Sequence, residues 1–223
     1  MSSGGIRLWN VADERKRGTQ SEMSSDFEEH AISRSMNLLN KKYLVITVIG
    51  PHAGDDVSTI FSKKQKEIDN HGKTYWLLKS FRAKTNQIQN ICKKANEDKE
   101  DVYCLFIEPS SKDGARPTIC NSLVKYISHN GSEWEELPSN VNITGKIDIQ
   151  SSALVLNGLL LVNPMQIVDL WEYSEFGTDA PLKLQLGAST ICCVRKHSEG
   201  MKSRFRNVVA LGRLAFPYAV LVK

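Results

Sequence analysis

What the chain does not contain narrows its chemistry first. No apolar run approaches the roughly 20 residues that cross a bilayer, so no membrane role is expected. The first residues lack the basic-then-apolar order of a secretory signal, and a cytoplasmic protein is the expectation. No Gly-x-Ser-x-Gly elbow and no His-x-x-x-His pair occur, so the common hydrolase and zinc signatures are missing. Gly50-Pro51-His52-Ala53-Gly54 is glycine-rich, yet it has neither the Gly-Lys-Ser/Thr ending of a phosphate loop nor the Gly-x-Gly-x-x-Gly fingerprint. Asp55 and Asp56, which follow it, would repel a phosphate.

Cysteine is sparse and unpaired in pattern. The five residues Cys92, Cys104, Cys120, Cys192 and Cys193 are an odd number, lie mostly in apolar runs and include no Cys-x-x-Cys pair. Buried free thiols in a reducing compartment are expected, rather than disulfides or a metal set. Two glycosylation-like triplets, Asn130-Gly131-Ser132 and Asn142-Ile143-Thr144, then carry no weight. Excess charge is also small: a net +4 with pI ≈ 8.7 permits an anionic partner without demanding one. With 41% hydrophobic and 24% charged residues, a chain of 223 residues can bury a core in one domain or two.

What is present is an alternation of strands and helices over residues 43–108. Tyr43, Leu44, Val45, Ile46, Thr47, Val48 and Ile49 make a nearly continuous apolar, β-branched run, suited to a strand buried on both faces. Asp55 or Asp56 suits an N-cap, and Val57, Ile60, Phe61 and Ile68 fall on one helical face, with Lys63, Lys66, Glu67 and Asp69 on the other. Asn70-His71-Gly72 stops that helix. Residues 74–78 read as a second strand and 102–107 as a third. Between them Thr85 could cap a helix that carries Ile88, Ile91, Cys92 and Ala95 at i, i+3, i+4 and i+7. The expectation is an α/β fold opening with a parallel, Rossmann-like βαβαβ unit.

The rest reads as a mostly β, antiparallel half. Asn130-Gly131 marks a hairpin between the runs 119–128 and 132–137. Residues 147–149 suggest a short strand, and residues 153–162 a buried strand with a bulge at Asn157-Gly158, turned by Asn163-Pro164. Residues 166–176, carrying Ile167, Leu170 and Trp171, fit a short helix. Residues 182–186, 190–194, 208–214 and 218–222 read as further strands. The expected organisation is a mobile arm over 1–24, an α/β unit over 25–110, and a β-rich half over 117–223 that joins the same domain or forms a second. Ser25-Asp26-Phe27-Glu28 has capping-box spacing. It opens a short amphipathic helix over 27–39 (Phe27, Ala31, Ile32, Met36, Leu38, Leu39) that could pack on the sheet or on a partner protein.

Two constellations could carry function. Ligands of open α/β sheets bind beyond the carboxyl ends of the strands, which groups His52, Asp55 and Asp56 after the first strand with Glu108 after the third. The carboxylates could hold Mg²⁺ and His52 could act as a base, giving metal-assisted phosphodiester or phosphoryl transfer. The bland alternative is that the aspartates cap a helix and Glu108 is solvated. The second constellation is the segment between two late strands, where Arg195, Lys196, Lys202, Arg204, Phe205 and Arg206 gather. Cations interleaved with an aromatic suit phosphate contact plus base stacking. A solvated charged loop is the plainer reading.

Tyr75-Trp76-Leu77-Leu78-Lys79-Ser80 resembles the opening strand of EVE domains, which have a PUA-like fold and are associated with nucleic acid and modified bases. The likeness covers six residues, lies well inside this chain and is not followed by the Trp-Asp-Gly-Val-Arg-Asn pattern, so it assigns no family. The leading expectation is a non-enzymatic cytoplasmic module that binds DNA or RNA, or serves a nucleic-acid-handling assembly, with no cofactor. The metal-dependent enzyme using Mg²⁺ and a pure assembly subunit docking through residues 27–39 are the rivals.

Overall fold

Strand β1 (Tyr43–Val48) lies in the middle of a nine-stranded sheet, and residues on both of its faces are buried: Tyr43 and Val45 on one, Leu44 and Ile46 on the other. The computed structural model describes residues 41–49, 55–78, 82–108, 122–145, 151–178, 180, 182, 190–196 and 205–223. The expected arm over 1–24, the helix over 27–39, the strand over 147–149 and most of that over 182–186 lie outside the described residues, as does Cys120.

Helix α1 (Val57–His71) starts and stops where local chemistry says it should. The Asp56 carboxylate accepts from the Thr59 N–H at 2.7 Å, and Gly72 takes the left-handed φ of 73° while its N–H donates to the Ile68 carbonyl. The helix buries Phe61 against Trp76 and Phe106, with ring centres 5.3 and 5.2 Å away. Full burial of such a side chain is worth about 1.5–3 kcal/mol. Helix α2 (Arg82–Glu97) buries Ile88, Ile91, Cys92 and Ala95 as their spacing predicts. Thr85 is not its cap: the helix begins at Arg82, and Thr85 is buried in the first turn with an unpaired hydroxyl.

The other strands are β2 (Thr74–Leu78), β3 (Tyr103–Ile107), β4 (Ser122–Leu123), β5 (Tyr126–Ser128), β6 (Glu135–Glu136), β7 (Thr144–Gly145), β8 (Ser152–Asp169), β9 (Tyr173–Glu175), β10 (Ile191–Arg195) and β11 (Phe205–Val222). The main path runs β2-β8-β11-β3-β1-β10-β9, with β5 and β6 added beside β11, while β4 and β7 pair separately. Among these pairs only β1 and β3 are parallel, in the register Leu44↔Tyr103 to Val48↔Ile107. The fold is thus mixed α/β, mostly strand, and its sheet is mixed.

A parallel Rossmann-like βαβαβ unit is not confirmed. Strand β2 pairs with β8, antiparallel, from Thr74↔Leu156 to Leu78↔Ser152, so β8 and β11 stand between it and β3. Residues 166–169 continue β8 instead of starting a helix, because Phe205 to Val208 supply ladder partners as far as Asp169. Asn163-Pro164 accordingly lies in an irregular stretch of β8, where the register jumps from Leu161↔Ala210 to Gln166↔Val208, and does not reverse the chain. The two runs 208–214 and 218–222 are one bent strand, β11, with a cis peptide at Phe216-Pro217. The bulge at Asn157-Gly158 is present as a register shift between Arg213↔Gly158 and Leu214↔Leu156. The Asn130-Gly131 hairpin forms as β5–β6 with a wider loop, in which the Asn130 side chain accepts from the Ser132 and Glu133 N–H groups.

Alternate residues of β8 feed two cores. Leu154 and Leu156 join the cluster under the helices, whereas Ala153 and Val155 join Tyr75, Val124, Ile127, Val141, Ile143, Val220 and Val222 on the far face. The described residues all fall within one compact unit.

Candidate nucleic-acid interface

The late basic segment is anchored by β10 and β11, and these place its two ends far apart. Strand β10 is antiparallel to β1, with Val194 opposite Tyr43, so Arg195 lies where β1 begins. Strand β11 is antiparallel to β3, with Val208 opposite Ile107, so Phe205 and Arg206 lie beyond where β3 ends. The length of β1 separates the two anchors, about 16–20 Å at 3.3 Å per residue. Contiguity in sequence therefore does not make one patch. Lys202 and Arg204 lie outside the described residues.

At the first anchor the cation is engaged. Arg195 Nε and Nη2 reach Glu172 Oε2 at 2.7 and 2.5 Å. Lys196 is exposed, its N–H donating to the Glu172 carbonyl and its own carbonyl accepting from Ser174 Oγ, which tie the end of β10 to β9. Asp98 accepts from Lys42 and from the Tyr43 hydroxyl near the same end of the sheet.

The second anchor differs. There β8 and β11 continue as a ribbon past β3, with Phe205 opposite Asp169 and Asn207 opposite Ile167. That register puts Phe205 and Ile167 on one face as diagonal neighbours, and they are 62% and 69% exposed. Arg206, on the other face, donates from Nη1 to the Phe205 carbonyl at 2.7 Å; among the described residues its buried Nε has no acceptor and no carboxylate pairs with it.

The carboxylates grouped as a cation site each have a local engagement. Asp55 pairs with Lys63 at 2.7 Å. Asp56 caps α1, and the Thr59 N–H, with the Ser58 and Thr59 hydroxyls, lowers its pKa below the ordinary carboxyl value. Glu108 accepts from the Asn207 amide at 2.9 Å. His52 lies outside the described residues. Among the described residues no group of three or more His, Cys, Asp or Glu is placed to hold a metal ion, and no helix is long and apolar enough to cross a membrane. Sequence reasoning missed Ile167, taken for helix, and Glu172, whose link to Arg195 exists only through the β9–β10 pairing.

No family model matches the chain, and neither the curated proteins nor the solved structures contain a significant match.

Proposed function

We propose that this protein is a non-enzymatic cytoplasmic module that binds single-stranded nucleic acid at the end of the β8–β11 ribbon. The observation that carries the reading is Phe205, an exposed ring in the ladder, next to Arg206, whose Nε lacks an acceptor. A base stacked on such a ring gains about 1–3 kcal/mol, and a guanidinium with no carboxylate partner among the described residues suits a phosphate. Successive strand residues point to opposite faces, so the bound strand wraps the ribbon end. Arg195 is outside this contact because Glu172 already holds it.

Fluorescence anisotropy of labelled DNA and RNA, single- and double-stranded, at two salt concentrations tests this. Phe205→Ala should weaken single-strand binding at both salts, and Arg206→Ala should reduce the salt slope by about one. No binding at low salt overturns the proposal.

A further inference from the structure

The β5–β6 hairpin holds an aromatic pair that the nucleic-acid reading does not use. The Lys223 ammonium lies 4.0 Å from the centre of the Trp134 ring and 5.6 Å from that of Tyr126. Backbone pairing brings these residues together: the Lys223 N–H donates to the Tyr126 carbonyl, and the Lys223 carbonyl accepts from the Lys125 and Tyr126 N–H groups. Across the hairpin Tyr126 pairs with Glu136 and Ile127 with Glu135. Lys223 is exposed and, among the described residues, makes no ion pair; its ammonium rests on the two ring faces. Glu136, opposite Tyr126, is exposed and makes no ion pair among the described residues. Two negative π faces, with Glu136 opposite Tyr126 on the same face of the hairpin, are complementary to a cation that needs no hydrogen bond.

We propose that Tyr126 and Trp134 form a binding clasp for an alkylammonium group, the end of a lysine or methylated lysine in a basic peptide, and that Lys223 is its displaceable occupant. The tethered lysine competes at high effective concentration, so an outside ammonium binds weakly until Lys223 is removed. Glu136, on the Tyr126 face, adds an attraction that salt screens.

The test is a titration of the full chain with tetramethylammonium chloride, against sodium chloride of equal ionic strength, followed by NMR at the Trp134 indole and, in every variant, at the Tyr126 ring. Lys223→Ala should bind about tenfold tighter than wild type, and adding Trp134→Ala should abolish binding. In wild type the Lys223 methylenes should resonate upfield, shielded by the rings, and move towards free-chain values as ammonium is added. A folded Lys223→Ala chain with no saturable shift overturns the proposal, as does binding that survives Trp134→Ala. Should Lys223→Ala not fold, wild-type Lys223 methylenes that do not move overturn it instead.

Discussion

Glu67 is a buried carboxylate with three partners. It takes Lys64 Nζ at 2.9 Å, Thr74 Oγ1 at 2.5 Å and the Asn142 N–H at 3.2 Å, while Lys64 also donates to the Asn142 carbonyl. Both side chains are largely withdrawn from water, and burial pushes the Lys64 pKa down against the pull of the Glu67 charge. Removing one partner leaves the other uncompensated, which costs about 3–5 kcal/mol. Lys64→Met is therefore expected to destabilise the protein by about 3 kcal/mol, and pairing it with Glu67→Leu to recover part of that loss, as urea unfolding would read. Asp98 behaves differently because its network lies at the surface. Hydrogen bonds from Lys42 and Tyr43 hold its pKa at about 2, below the ordinary 3.8. The folded value is the lower one, so its contribution is complete above pH 3.8 and is lost as pH falls through about 2. Asp98→Asn should flatten the stability profile across that window; an unchanged acid limb would refute the assignment. The described cysteines, Cys92, Cys104, Cys192 and Cys193, are free and buried, as their apolar settings predict. A thiol reagent should reach these four only on unfolding.

Elements whose cause is local were legible. Asp56, Gly72 and the Ile88-Ile91-Cys92-Ala95 stripe specify two helices within a few residues of themselves, and the alternation of Ala153 to Leu156 specifies a two-faced strand. Partner choice was not legible, because it is settled by residues far off in sequence. Nothing in Thr74 to Leu78 says that β8 will be its neighbour, and Ile167, Leu170 and Trp171 keep helical spacing although Ile167 pairs with Asn207. The candidate site divides in the same way: an aromatic among arginines can be seen in the chain, but not that Glu172 holds one arginine while Arg206 has no carboxylate partner among the described residues. At this scale Asp56→Ala should lower the melting temperature through loss of the cap, whereas Asp56→Asn should stay near wild type, since an amide oxygen caps as well. Thermal unfolding of the two variants separates a cap from a needed charge.

Over the whole molecule the sheet interleaves early and late strands. Strand β3 lies between β1 and β11, and β2 meets only β8 among the described strands. A fragment of residues 41–108 is expected to stay unfolded, because β2 and the outer edge of β3 would lack their partners. Its amide spectrum would show this, and well-dispersed resonances would contradict it. Pairings such as Leu105↔Leu211 close long stretches of chain, so refolding should be slow for a unit of this size.

Strand β11 is made after every strand it joins. Until the residues from Phe205 onward leave the ribosome, the apolar edges of β3 and β8 have nothing to close on. Nascent chains halted short of Phe205 should be cut by protease throughout, and chains that expose Val222 should resist. The order of synthesis thus defers the central seam until β11 is made and leaves the growing chain dependent on whatever shields its strands in the meantime.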